Sequence, residues 1–287
     1  MSYWKLWPVD RVRGQYAAAR WTTSSGAATA PNLADGNPAT LWVAGASTPV
    51  LYFRLGAAHS VTAFAVANHN WKGRTLTFYD SENATDWTQL ATFTVPFNQD
   101  FLYAFSTSYV ADSGKYWKLT LTGDSTAYAG IFSLLCDYGY NHEGTFGTGG
   151  VLTLGNEGGV RHPIGRSLVP DAAAVKTVGG FRQLTRMAAP LNTFSLNLGD
   201  LRDGSNQEWW VIRNSFENAS DPQGGGVYIN PGWAKGVWLT SDEHTPGAAT
   251  FMDAWYCQPM GGLDYQIVKA GGRVSASINL QTLSTGI

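Results

Sequence analysis

Charged side chains are scarce in this sequence. Asp, Glu, Lys and Arg make up 14% of its 287 residues, against roughly 25% in an ordinary soluble protein. The net charge is −2, which removes the global attraction that nucleic acid or an anionic membrane would need. A surface so poor in charge has two accounts. Either much of it faces other subunits, where charge is depleted and aromatics are enriched, or it is covered by Ser, Thr, Asn and Gly, which are plentiful here. Cysteine is nearly missing as well. Cys136 and Cys257 lie far apart among apolar neighbours, which favours two buried free thiols over a disulfide. No apolar run reaches the length of about 18 residues that a membrane-spanning helix needs, so no membrane insertion is expected. The opening MSYWKLWPVD has neither a basic n-region nor an apolar h-region, so synthesis and folding in a cytoplasm are expected, and the sequons at Asn83 and Asn218 carry no weight.

Reactive motifs are missing too. None of the five histidines sits in HExxH, and there is no GxSxG or Walker loop. Asp242-Glu243-His244 precedes Thr245-Pro246-Gly247 and reads as a solvated turn. The glutamates Glu82, Glu143, Glu157, Glu208, Glu217 and Glu243 fall in turns or a helix cap. The expectation is no enzyme, with a glycan-active one kept as a remote alternative because carboxylate pairs are spatial. The glycine-dense stretches at 144–159 and 223–226 do not lead a strand into a Lys-bearing helix, so they are not phosphate loops.

What is present is β-structure. Val50–Leu55, Val61–Ala67, Arg74–Asp80, Trp87–Val95, Phe101–Val110, Lys115–Thr122 and Ile131–Cys136 are short apolar or alternating runs between Gly, Asn, Asp and Ser turns. The cleanest alternation puts Trp117, Leu119 and Leu121 on one face and Lys118, Thr120 and Thr122 on the other. The composition shifts in GYNHEGTFGTGGVLTLGNEGG (139–159), which reads as a linker into a strand at Val151–Leu154. This gives two expected domains, 1–140 and 141–287. The second is β-rich, with strands at Phe194–Leu198, Val227–Asn230, Gly236–Thr240, Ala249–Cys257, Asp264–Lys269 and Arg273–Leu280. It holds one short helix over 206–217, begun by a Ser205…Glu208 capping box and amphipathic through Trp209, Ile212 and Phe216.

The stretch LADGNPATLW (33–42) sets Asp35-Gly36 and Pro38 turn chemistry directly before Trp42. The order of features after it is VLYFRLG, VTAFAVANHN, TLTFYDSENATDW, KYWKLTLTG and YAGIFSLL. Together these resemble the discoidin (coagulation factor 5/8 C-terminal type) domain, a fold shared with many carbohydrate-binding modules. The D-G-N-x-x-T-x-W loop, the S-x-(D/N)-x-x-x-W strand end and the late aromatic-Lys-Leu strand carry the resemblance over residues 20–138. The Asn68-His69-Asn70 turn and Tyr128-Ala-Gly130-Ile131 are similar to the version found in bacteriophage tail and baseplate proteins. The resemblance implies an all-β chain: an N-terminal jelly-roll β-sandwich followed by a β-rich assembly domain.

For function, the resemblance implies a structural component of a phage tail tip or baseplate, located in the virion. Its partners would be copies of itself, neighbouring tail proteins and a host-surface carbohydrate. The alternative is a carbohydrate-binding module. Sugar would meet the end loops Thr22–Ala28, Val43–Pro49 and Asn68–Gly73, with Trp71 stacking and Asn68, His69, Asn70 and Lys72 beside it. Many such modules hold a structural calcium at the D-G-N loop. Asp35 and Thr40 match that pattern, but the family's late acid is Ser133 or Leu134 here. One carboxylate is poor for an ion that wants six to eight oxygens, and Asp35 simply receiving N–H bonds in its turn is the competing account. No other cofactor is implied.

Overall fold

A computed structural model describes residues 4–7, 10, 12, 21–54, 61–109, 116–123, 126–135, 152–154, 165–169, 172–176, 182–186, 191–202, 208–213, 216–217, 234, 236–240, 250–269 and 272–283. Its strands are β1 (Trp4–Trp7), β2 (Trp21–Thr23), β3 (Trp42–Val43), β4 (Val50–Arg54), β5 (Val61–His69), β6 (Thr75–Ser81), β7 (Thr88–Thr94), β8 (Phe101–Tyr109), β9 (Tyr116–Thr122) and β10 (Tyr128–Leu135). They continue with β11 (Leu152–Leu154), β12 (Gly165–Val169), β13 (Ala172–Lys176), β14 (Arg182–Arg186), β15 (Leu191–Arg202), β16 (Val237–Thr240), β17 (Thr250–Pro259), β18 (Asp264–Lys269) and β19 (Arg273–Thr282). Within the helix expected over 206–217, α1 covers Glu208–Arg213 and buries Trp209 and Ile212 as its period requires. The capping-box Ser205, the strand expected at Val227–Asn230, Cys136 and the linker at 139–150 lie outside the described residues.

The chain is all-β around these short helical pieces, and every described strand pair is antiparallel. Its N-terminal part is the expected jelly-roll sandwich. One layer has the order β2-β4-β9-β6-β7 and the other runs β8-β5-β10-β3. Alternation dictates what fills the space between them. Leu51 and Phe53, Leu76 and Phe78, and Trp117, Leu119 and Leu121 point inward from the first layer. Phe64, Val66, Phe101, Tyr103, Phe105 and Phe132 meet them from the second.

The second layer is buried on its other face as well. There β5 presents Ala63, Ala65 and Ala67, and these small side chains leave room for Trp7, Trp238 and Tyr256. Trp238 donates its indole N–H to Ser133 Oγ at 2.9 Å, and Trp7 donates to Thr240 Oγ1 at 3.1 Å. Strand pairing therefore crosses the composition shift near 141 in two places. Residues Thr250 to Asp253 of β17 pair with β8, and β1 pairs with β11 and β16. Farther along, β17 pairs with β16 and then with β19, which lies between β15 and β18. Cys257 is a free, buried thiol whose pKa burial pushes up, with the Asp100 charge adding to the shift.

The LADGNPATLW stretch docks on this frame. A 3-10 helix over Ala27–Ala34 leads into the turn, and Trp42 is wholly buried behind it. The turn reaches β10 at Gly130. A Cβ there would stand 2.3 Å from the Pro38 carbonyl oxygen, so only glycine permits the approach. That oxygen also accepts a bond from Asn68 Nδ2 at 2.7 Å, and Tyr256 OH donates to the neighbouring Gly36 carbonyl at 3.3 Å. Tight turn chemistry precedes the large aromatic because the turn is a plug seated on the strand beneath it.

Candidate functional site

The loop at 68–73, expected to hold a sugar, is built as a structural joint. Asn68 takes a left-handed conformation with φ 48°, one that Asn tolerates better than most residues. Its backbone N–H donates to Asp100 Oδ1 at 3.0 Å. This reversal carries the next side chains inward. His69 is buried between Trp71 and Phe101, with ring centroids 5.6 and 5.2 Å away. Its Nδ1 accepts the Trp71 backbone N–H at 3.1 Å, which puts the ring proton on Nε2, 2.9 Å from the Gln99 carbonyl. Burial lowers the His69 pKa to about 4, partly opposed by the bond to Gln99, so the ring is neutral at pH 7.

Trp71 is 0% exposed. Its ring lies in the core and offers no face for stacking on a sugar, which corrects the expectation for this residue. Asn70 donates from Nδ2 to Thr126 O at 2.8 Å and accepts the Tyr128 N–H at 2.8 Å, spending both ends of its amide. Asn68, His69 and Asn70 thus use their polar atoms to lock neighbouring loops together. Lys72 and Asn68 are the two of the five that stand exposed, and the Lys72 backbone N–H is held by Asn98 Oδ1 at 2.9 Å.

Asp35 and Thr40 do meet, as expected. Asp35 Oδ1 accepts the Asn37 N–H at 2.7 Å, and Oδ2 accepts the Thr40 hydroxyl. Both carboxylate oxygens are occupied within the turn. Among the described residues no three His, Cys, Asp or Glu side chains converge on a point, and Ser133, at the place of the late acid, accepts from Trp238. This donor set does not fit calcium, and the turn bonds explain Asp35 without it.

A different surface brings chemistry together. Alternation turns Tyr52 and Arg54 of β4, Tyr79 of β6, and Tyr116 and Lys118 of β9 to the outer face of the five-stranded layer. The register sets Tyr52, Lys118 and Tyr79 in one cross-strand row, with Arg54 opposite Tyr116 in the next. Trp87 joins them from the turn that follows β6. Ser81 Oγ accepts the N–H groups of Asn83 and Ala84, and Asn83 Oδ1 accepts those of Thr85 and Asp86. This turn folds back over the sheet and brings the Trp87 centroid to 5.9 Å from that of Tyr52. Lys118 Nζ then lies 4.2 Å from the Tyr79 ring centroid and 4.5 Å from that of Trp87. Arg54 lies over Tyr116 at 5.3 Å. Tyr52 is exposed and the other members of the group are half-buried, apart from exposed Arg54. Aromatic faces and N–H donors side by side can bind a polyhydroxylated ring by stacking and hydrogen bonding. The sequence signal for this site is the SENATDW strand end, read only as a feature of the fold; Trp87 was not singled out.

No family model and no curated protein matches the chain. Solved structures similar to it include the CBM32 of AlyQ in complex with 4,5-unsaturated mannuronic acid, at 23% identity over 42% of this chain and 96% of that one, with a TM-score of 0.35. Another is chitosan-binding module 1 of a chitosanase/glucanase from Paenibacillus sp. IK-5, at 20% identity over 44% and 98%, TM-score 0.34. A third is CpGH89CBM32-5 from Clostridium perfringens, in complex with GalNAc-beta-1,3-galactose, at 14% identity over 40% and 93%, TM-score 0.35. Each likeness covers less than half of this chain.

Proposed function

We propose that this chain is a non-catalytic carbohydrate-binding protein whose binding face is the outer surface of the five-stranded layer. The carrying observation is the row of Tyr52, Tyr79 and Trp87 around Lys118. Farther along the same sheet the outward positions include Val50, Thr75, Thr77, Thr92, Thr94, Thr120 and Thr122, so the aromatics are gathered at one end beside a turn built to present Trp87. Stacked C–H faces of a sugar would bind the rings, and hydroxyls would take the N–H donors. Trp87→Ala is expected to weaken retention on polysaccharide affinity gels about tenfold or more, as central aromatic anchors do, while leaving the fold intact. Trp71→Phe, a change inside the core, should leave retention unaltered. Binding that ignores Trp87→Ala would remove this reading.

A second reading, assembly with copies of itself or with the neighbouring proteins of a phage-type tail tip, draws on one feature. Among the described residues β18 pairs with β19 alone, and its Tyr265 and Ile267 are 48% and 76% exposed. An apolar, unpaired edge is a template for a further strand. The molar mass in solution tests it: association supports the reading, and a strict monomer that also ignores tail partners would dismiss it.

A further inference from the structure

Resting on the sugar-binding reading above, we propose that the saccharide taken by this face carries carboxylate groups, as uronic and sialic acids do. The position of the two cations carries the inference. Lys118 stands in the middle of the aromatic row and Arg54 one diagonal step away across the β4–β9 pair, about 7–8 Å between such positions. Among the described residues neither makes an ion pair; each has only ring contacts.

The acids closest in sequence to this face do not answer them. Asp80 is buried on the inner side of β6, and Asp86 accepts from Asn83 Nδ2 at 2.7 Å. Glu82 is exposed in the turn, with no described contact to either cation. The Lys118 ammonium carries three N–H donors and is only half-buried between the Tyr79 and Trp87 rings. Partial desolvation also lowers the Lys118 pKa.

A neutral sugar stacked here would answer these charged groups with hydroxyls alone, and hydrogen bonds between ionised partners are about twice as strong as neutral ones. A sugar carboxylate would form charge-assisted hydrogen bonds with Lys118 and Arg54 while its ring stacks on Trp87 or Tyr52. The chain as a whole carries a net charge of −2, so attraction for an acidic polymer must be local to such a patch.

The test uses the full chain in affinity electrophoresis against polygalacturonate, alginate and polysialic acid, each beside its carboxyl-reduced form. At least one acidic polymer should bind about tenfold or more tightly than its reduced form. Lys118→Met should erase that preference, bringing the acidic polymer to the level of its reduced form, and Lys72→Met at the loop end should change nothing. Equal binding of acidic and reduced forms, or a preference that survives Lys118→Met, overturns the acid preference. If Trp87→Ala still weakens binding in that case, the sugar-binding reading itself stands. No binding to any polymer, or binding indifferent to Trp87→Ala, overturns both.

Discussion

Replacing Phe64 by alanine should lower the folding free energy by about 4 kcal/mol, the middle of the range for a buried Phe or Trp truncated to Ala. The ring is 0% exposed. Six aromatic neighbours surround it with centroids between 5.1 and 6.2 Å: Phe78, Phe93, Phe101, Tyr103, Phe105 and Phe132. These rings come from both layers, so Phe64 is where the sandwich closes. Rigid neighbours cannot collapse into the space left by a ring, and the cavity term adds to the lost transfer energy. Urea unfolding monitored by tryptophan fluorescence measures the change. A loss below about 1 kcal/mol, the size of an ordinary surface substitution or little more, would mean that the layers do not meet at this ring.

Acid should destabilise the protein through one histidine. His69 is held neutral with a folded-state pKa of about 4, against 6.5 for the unfolded chain. The unfolded state therefore takes up the proton first as pH falls. The contribution of the neutral ring is complete above about pH 6.5, declines between 6.5 and 4, and is gone below about 4. At 1.36 kcal/mol per pKa unit, the span is worth about 3 kcal/mol. A His69→Gln variant can still donate to Gln99 O and accept from the Trp71 N–H, but it does not titrate. Denaturant midpoints from pH 7 to pH 4 should fall more steeply for the wild type than for this variant. Parallel curves would show that protonation of His69 is not what the fold resists. The same property explains why His69 is a poor choice for a ligand-binding residue: it is a neutral strut between Gln99 and Trp71.

The sandwich was legible where burial is one-sided. Along Tyr116–Thr122 the alternation of Trp117, Leu119 and Leu121 with Lys118, Thr120 and Thr122 is reproduced in the buried and half-exposed faces of β9, and Val274, Ala276, Ile278 and Leu280 do the same in β19. Strands buried on both faces gave only an apolar run. The Ala63, Ala65, Ala67 row makes sense only against Trp7, Trp238 and Tyr256, which are remote in sequence and reach it through pairings that alternation cannot reveal. β12, β13 and β14 went unread because GRSLV, AAAVK and RQLTR alternate weakly.

The binding face was missed for a related reason. Asn68 to Lys72 looks like a polar loop around a tryptophan, and nothing local shows that a left-handed Asn68 turns His69 and Trp71 inward. Trp87 read as the start of a strand. Its partnership with Tyr52 depends on the register of β4 against β9 and of β9 against β6, and on the fold-back of the 81–87 turn. Period-two patterning put Lys118 on the face opposite Trp117, Leu119 and Leu121, but only the strand order places it in one row with Tyr52 and Tyr79.

The most direct measurement is an NMR map of backbone amide and indole signals as a retained polysaccharide is titrated into the protein. The structure predicts that the signals of Tyr52, Tyr79, Trp87 and Lys118 move together, while those of Asn68 to Lys72 and the indole of Trp71 stay in place. Shifts confined to the 68–72 loop, with the outer sheet face silent, would contradict the account.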